Sequence, residues 1–117
     1  MKLITAIVRP EKVDELISAL IDVGIRGLTV TDVRGFGNQY GRLADAMRVA
    51  IPASQRMAAL LPKVRLDLVV LDDDAETIVD AIAKHARSET IGDGKIWVTT
   101  VDSALRVRTG ERDRAAV

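Results

Sequence analysis

Apolar and polar positions along the chain keep two periods, and each switch between them marks the edge of an element. Lys2 to Val8 is rich in β-branched and apolar residues and ends at Arg9-Pro10, which reads as a first strand. From Val13 through Leu16, Ile17, Leu20 and Ile21 the apolar residues recur at three and four. Pro10 and Glu11 suit the first turn of such a helix and Gly24 suits its stop. Leu28 to Arg34 then alternates as a half-buried strand does, between Gly27 and Gly35-Phe36-Gly37. Val64 to Leu71 repeats that pattern. Asp72-Asp73-Asp74 offers an N-cap and favourable charge for a second helix from Ala75 to about Ala86. Lys95 to Val101 reads as the last strand. The order is β-α-β, a long excursion, then β-α-β. It predicts an α+β, ferredoxin-like βαββαβ fold: a four-stranded antiparallel sheet with both helices on one face.

Composition narrows the chemistry. At 117 residues the chain is one domain, long enough for a real core and too short for two. With 17 basic and 17 acidic residues, no general attraction to nucleic acid or an anionic membrane is expected, so any basic site must be local. The absence of cysteine removes disulfides, thiolate catalysis and thiolate metal sites, and fits a reducing cytoplasm. No apolar stretch is long enough to span a bilayer, and the N-terminal run lacks the make-up of a secretory signal, which predicts an unexported protein.

Two segments carry candidate chemistry. Ser88 to Val98 places a Gly92-Asp93-Gly94-Lys95 turn directly before an apolar strand. Glycines let backbone N–H groups approach a phosphate and the lysine supplies a charge, although a turn that merely leads into a strand has the same sequence. Arg106-Val107-Arg108 adds two guanidinium groups that, at strand spacing, would share one face, so several cations could converge on one polyphosphate. The second segment is the excursion from Gly37 to Leu61, longer than the connections usual inside a compact domain. It mixes Arg42, Arg48 and Arg56 with Met47, Ile51 and other aliphatic residues. That mixture suits an arm that docks onto a partner; it also suits a short helix folded back, or packing on a neighbouring subunit.

These residues together resemble the PII signal-transduction proteins over nearly the whole chain. The anchors are Met1 to Pro10, Gly27 to Gly37, Leu61-Pro62-Lys63-Val64, Ser88 to Val98 and Arg106 to Glu111. The resemblance implies a single PII-like domain over residues 1–117, with a long loop at 37–61, a phosphate-binding turn at 87–95 and a C-terminal segment at 102–117. It implies a non-catalytic homotrimer that binds ATP or ADP between subunits and acts on a transporter, channel or enzyme through the loop, with 2-oxoglutarate added through Mg2+ on the ATP. By position, Gly27, Thr29, Gly35 and Gly37 would line the adenosine side, with Asp67 near the adenine. Gly92, Asp93, Gly94, Lys95, Arg106 and Arg108 would hold the phosphates. Gln39 would help to hold Mg2+ and 2-oxoglutarate, with Gly41 and Lys63 near that acid. Arg42, Met47, Arg48, Ile51 and Arg56 would form the partner-binding loop.

The chain departs from the family pattern mainly in that loop. Asn38 stands where the family usually has an arginine that reaches the terminal phosphate. A charge-assisted hydrogen bond is worth about 1.5 to 3 kcal/mol, so its loss would favour ADP or weaken ATP, unless Arg42 compensates. Tyr40 replaces a common lysine, Asp67 is shorter than the usual acidic residue, and the loop is longer than the usual form. Tyr40 is the only tyrosine and sits at the loop base, so the apical tyrosine uridylylated in many members has no counterpart. Modification at Ser54 is not expected either. Nitrogen regulation is the first reading of function, with Arg48 the candidate plug for a channel; the alternative is a divergent regulator of carbon, bicarbonate or other transport that senses adenine nucleotides alone.

Two unrelated classes compete. A phosphotransferase would need His85 as nucleophile facing the Gly92–Lys95 turn, whereas the helical pattern predicts His85 as a surface residue. A single-stranded RNA binder would use aromatic side chains on its sheet, against which stand a neutral net charge and few aromatics; Trp97 and Phe36 are expected in the core or at a subunit contact.

Overall fold

The structure, a computed structural model, describes residues 1–37 and 60–117. Its strands are β1 (Lys2–Val8), β2 (Thr29–Gly35), β3 (Leu61–Val70) and β4 (Lys95–Thr100), with helices α1 (Val13–Asp22) and α2 (Ala75–Ala86) between them. The sheet order is β2-β3-β1-β4 and every pairing is antiparallel. This is the ferredoxin-like arrangement the sequence pattern predicts. A long connection between β2 and β3 also holds, since β2 ends at Gly35 and β3 begins only at Leu61.

Strand alternation decides which side chains meet the helices. Ile4, Ala6 and Val8 of β1 and Val64, Leu66, Leu68 and Val70 of β3 are buried on one face. They form a single core with Leu16 and Leu20 of α1 and Ile78, Ile82 and Ala86 of α2, successive residues on each helix lying one turn apart. Both helices therefore cover one face of the sheet. The other face carries Leu3, Thr5 and Ile7, the register partners Arg65 and Asp67, and Trp97 opposite Thr5. It has no helix over it among the described residues, and Trp97 remains 40% exposed.

Local signals explain the helix ends. Pro10 opens a 3-10 turn, Pro10–Lys12, that feeds α1. Gly24 closes α1 at φ 86°, with Gly24 N–H donating to the Ile21 carbonyl and Ile25 N–H to the Leu20 carbonyl, a Schellman motif whose Ile25 packs on the core. The expected N-cap of α2 is corrected: Asp72–Asp74 forms a 3-10 turn, and no side chain caps the helix. Asp72 is drawn instead to the N-terminal ammonium group, 2.9 Å away, a charged partner that outcompetes a backbone N–H. The acidic charges still sit at the helix start, where the dipole favours them. Among the described residues no helix is long and apolar enough to cross a membrane.

Candidate functional site

Strand register brings the two glycine segments together. Gly35 pairs with Leu61 and Val33 with Lys63, while Ile7 pairs with Lys95 on its other side, so the ends of β2, β3, β1 and β4 lie at one edge of the sheet. A cleft of about 510 Å³ opens there, lined by Gly35, Phe36, Gly37, Lys63, Ile7 and the run from Thr90 to Lys95. The expected site residues Gly35, Gly37, Lys63, Gly92, Asp93, Gly94 and Lys95 thus share one cavity.

The turn is fixed by two glycines. Gly92 and Gly94 have φ of 103° and 101°, a region L-residues avoid. At Gly94 space is decisive as well: a Cβ would lie 1.7 Å from the Ile7 carbonyl oxygen, so the turn can close onto β1 only with glycine there. Gly27, Gly35 and Gly37 differ, since a Cβ at any of them meets nothing within 4 Å. Packing among the described residues gives no reason for glycine at those three positions.

Side chains from β3 and the end of β1 grip the turn. Arg9 donates from Nη2 to the Ile91 carbonyl at 2.7 Å and to Thr90 Oγ1 at 3.0 Å, and from Nε to Asp93 Oδ1 at 3.2 Å. Lys63 Nζ donates to the Gly92 carbonyl at 2.8 Å. Ser88 N–H donates to Asp93 Oδ2 at 2.7 Å, and the Ser88 hydroxyl donates to Asp93 Oδ1. These bonds hold the Asp93 carboxyl well below the usual range, at about 2, through the Ser88 hydroxyl first, then the Ser88 N–H and the Arg9 guanidinium, against the opposing effect of burial. Burial is the main cause that lowers the pKa of Lys63, and the positive charge of Arg9 adds to it.

Asp67 lies further along the open sheet face, directly opposite Thr29 in the β2–β3 register. It accepts from Arg65 Nε at 2.8 Å, from Arg65 Nη2 at 3.1 Å and from Thr5 Oγ1 at 2.7 Å. Arg65 is the first cause of its lowered pKa, and the Thr5 hydroxyl acts in the same direction. Gly27 lies two residues before the start of β2, the edge strand.

Several expectations change. Arg106 and Arg108 do not stand at strand spacing: Thr109 N–H and Gly110 N–H both return to the Arg106 carbonyl, and Leu105 bridges to Arg112, so the pair lies in a tight turn. Gly110, at φ 73°, allows that reversal. Arg106 is paired with Glu111 at 2.5 Å, and neither arginine lines the cleft within one chain. His85 is a surface residue as expected, and it gains a partner there: its Nδ1 lies 2.9 Å from Glu15 Oε1 and ties α2 to α1. That contact engages the ring with α1, and His85 does not line the cleft at the Gly92–Lys95 turn, as the phosphotransferase reading required. Trp97 and Phe36 are outside the core, and Phe36, 64% exposed, lines the cleft. Asn38, Gln39, Tyr40, Gly41, Arg42, Met47, Arg48, Ile51, Ser54 and Arg56 lie outside the described residues. Arg9, Ile7 and Phe36 are the lining or gripping residues that motif reading missed, while Thr90 and Ile91 fall within the expected 87–95 turn. A carboxylate between two glycines in a lysine-bearing turn was the one hint that a counter-charge such as Arg9 was required.

The model of the family described as nitrogen regulatory protein P-II matches residues 1–111. The chain belongs to the P-II family. P-II relatives are similar to it from end to end: the nitrogen regulatory protein P-II of Klebsiella oxytoca and nitrogen regulatory protein P-II 1 of Escherichia coli K12 are each 47% identical over 117 residues, covering 100% of both chains. Nitrogen regulatory protein GlnK of Escherichia coli K12 is 43% identical over the same span. Membership in the P-II family supports a nitrogen regulatory, signal-transducing role.

Proposed function

We propose that the cleft at the sheet edge binds the polyphosphate of ATP or ADP, and that the bound nucleotide sets the loop between β2 and β3 for contact with a target transporter or regulatory enzyme. The observation that carries this reading is the convergence of Gly35, Gly37, Lys63 and the Gly92–Lys95 turn on one cavity. Glycines without an intrachain reason suit close approach by a ligand, and lysines suit its charge. Asp93, an anion, contributes its backbone and its hold on the turn, while its side chain faces Ser88 and Arg9. Thr29, Gly27 and Asp67 extend the site along the open face toward the nucleoside.

The open face and the arginine turn suit contact with further copies of the chain, which in this reading form a homotrimer in the cytoplasm. Arg106 and Arg108 do not reach the cleft of their own chain, and an adjacent copy would bring them to it. Mg2+ would be held by nucleotide phosphates and by the Gln39 amide oxygen, with Gly41 and Lys63 near 2-oxoglutarate. Asn38 favours a second reading, a regulator of carbon or other transport that senses adenine nucleotides alone, because the charge on the terminal phosphate loses a partner there.

Calorimetric titration with ATP, ADP and AMP, then with 2-oxoglutarate in the presence of Mg2+ and ATP, tests the reading. ATP and ADP are expected to bind more tightly than AMP. Heat from 2-oxoglutarate distinguishes the nitrogen-sensing form from the adenine-only form, and equal indifference to all three nucleotides at millimolar concentration would refute both.

A further inference from the structure

Arg9 follows β1, and its guanidinium spans three acceptors of the turn: the Ile91 carbonyl, the Thr90 hydroxyl and the Asp93 carboxylate. One side chain thereby fixes the turn at residues 90, 91 and 93 together. Asp93 sits between the two glycines of that turn, and its side chain is 23% exposed beside an Arg9 side chain that is 24% exposed. A carboxylate in that position is a negative charge set into the loop that would meet a polyphosphate. Like charges in a half-desolvated cleft repel more strongly than in water. The turn needs the carboxylate all the same, because Asp93 accepts from both the backbone and the hydroxyl of Ser88 and so closes the loop from residue 88 to 93.

We infer that Arg9 is a positioning residue of the polyphosphate site, bracing the Ser88–Gly94 turn against β1 and neutralising Asp93 so that an anion can occupy the cleft. The inference rests on the proposed nucleotide reading and adds a residue to it. Arg9 lies 84 positions from Asp93 along the chain, so the pair also ties the first strand to the turn before the last. An arginine is required for this work because its planar fork makes several bonds at fixed angles, whereas the point charge of a lysine can meet one or two of these acceptors at a time. The same positive charge lies close enough to Lys63 to lower its pKa, which places Arg9 within the electrostatics of the cleft rather than beside it. Lys63 and Arg9 thus hold successive carbonyls, Gly92 and Ile91, and turn both toward the protein.

A bracing role and a charge-balancing role are separable by substitution. The experiment measures ATP and tripolyphosphate affinity by calorimetry for the unaltered full chain, R9M, R9K, and the double variant R9M/D93N, with thermal unfolding of each. R9M is expected to weaken ATP binding about tenfold or more, the scale of one lost charge-assisted interaction. R9M/D93N is expected to bind at least about threefold more tightly than R9M while staying weaker than the unaltered chain, the recovered part reading the charge and the remainder the lost brace, because the amide introduced by D93N would still accept from Ser88 N–H and donate to the Ser88 hydroxyl without carrying charge. R9K is expected to fall between. If R9M does not fold, R9Q, uncharged but able to hydrogen-bond, carries the same expectation. R9M affinity within about twofold of the unaltered chain overturns the inference, and so does a double variant as weak as R9M, which would leave Arg9 a plain brace. An unaltered chain that binds neither ATP nor tripolyphosphate overturns the nucleotide reading itself, an outcome distinct from tight binding by every variant.

Discussion

Gly94→Ala is expected to destabilise the chain by about 3 to 5 kcal/mol, the sum of a strained backbone and an overpacked contact. Both parts arise at one atom. Alanine would have to hold φ near 101°, and its Cβ would be placed 1.7 Å from the Ile7 carbonyl oxygen. That oxygen belongs to β1, which is paired on both sides, with β3 and with β4, so it cannot withdraw without breaking a ladder. The turn must move instead, and with it Asp93, Lys95 and the bonds from Arg9 and Lys63. Urea unfolding of the variant measures the loss, and nucleotide binding is expected to fail even where the chain stays folded. A midpoint unchanged from that of the unaltered chain would show that the turn is not clamped on β1.

Leu66→Ala is the second large effect, with an expected cost of about 2 to 5 kcal/mol for removing a large side chain from a closed core. Leu66 is fully buried in β3, between Ala6 of β1 and Val30 of β2 in register, and belongs to the core shared with both helices. Its neighbours Arg65 and Asp67 point to the opposite face, and Lys63 lies on that face at the cleft. The two faces of one strand therefore separate stability from site chemistry. Denaturant titration should register the lost core packing, while nucleotide affinity measured well below the unfolding midpoint should stay within about threefold, since sites without shared partners add nearly independently. A small stability change would mean that the core closes around the vacancy, and a large affinity change would mean that the two faces are coupled.

The fold was legible because its signals are local. β1 and α2 have the limits that the alternation and the three-four spacing predict, and β4 ends one residue earlier, although Val101 N–H still bonds to the Met1 carbonyl. β3 begins at Leu61 rather than Val64, and Pro62 is the reason it reads late. A proline is excluded from a strand paired on both sides, but β1 pairs with β3 only from Val64 onward, so Pro62 has a single neighbour, Arg34 of β2. The glycine turn was legible as a turn leading into β4, yet its grip was not. Nothing near Arg9 in sequence points to residues 90 to 93; only the β1–β4 pairing brings them together. Arg106 and Arg108 misled because a two-residue spacing fits a strand and a turn equally, and Thr109-Gly110 gains weight as a reversal only once the bonds back to Arg106 are seen. His85 lies at the surface as expected, and only its carboxylate partner was hidden, since Glu15 comes from another helix.

In the proposed function polyphosphate is held where the ends of β2 and β3 meet the Gly92–Lys95 turn. Backbone amide NMR shifts recorded while ATP is added to the isotope-labelled full chain test it most directly. The largest changes are expected on Gly35, Gly37, Gly92, Asp93 and Gly94, with smaller ones on Arg106 and Arg108. Changes centred instead on the outer surfaces of α1 and α2, or a spectrum that ATP leaves unaltered, would contradict it.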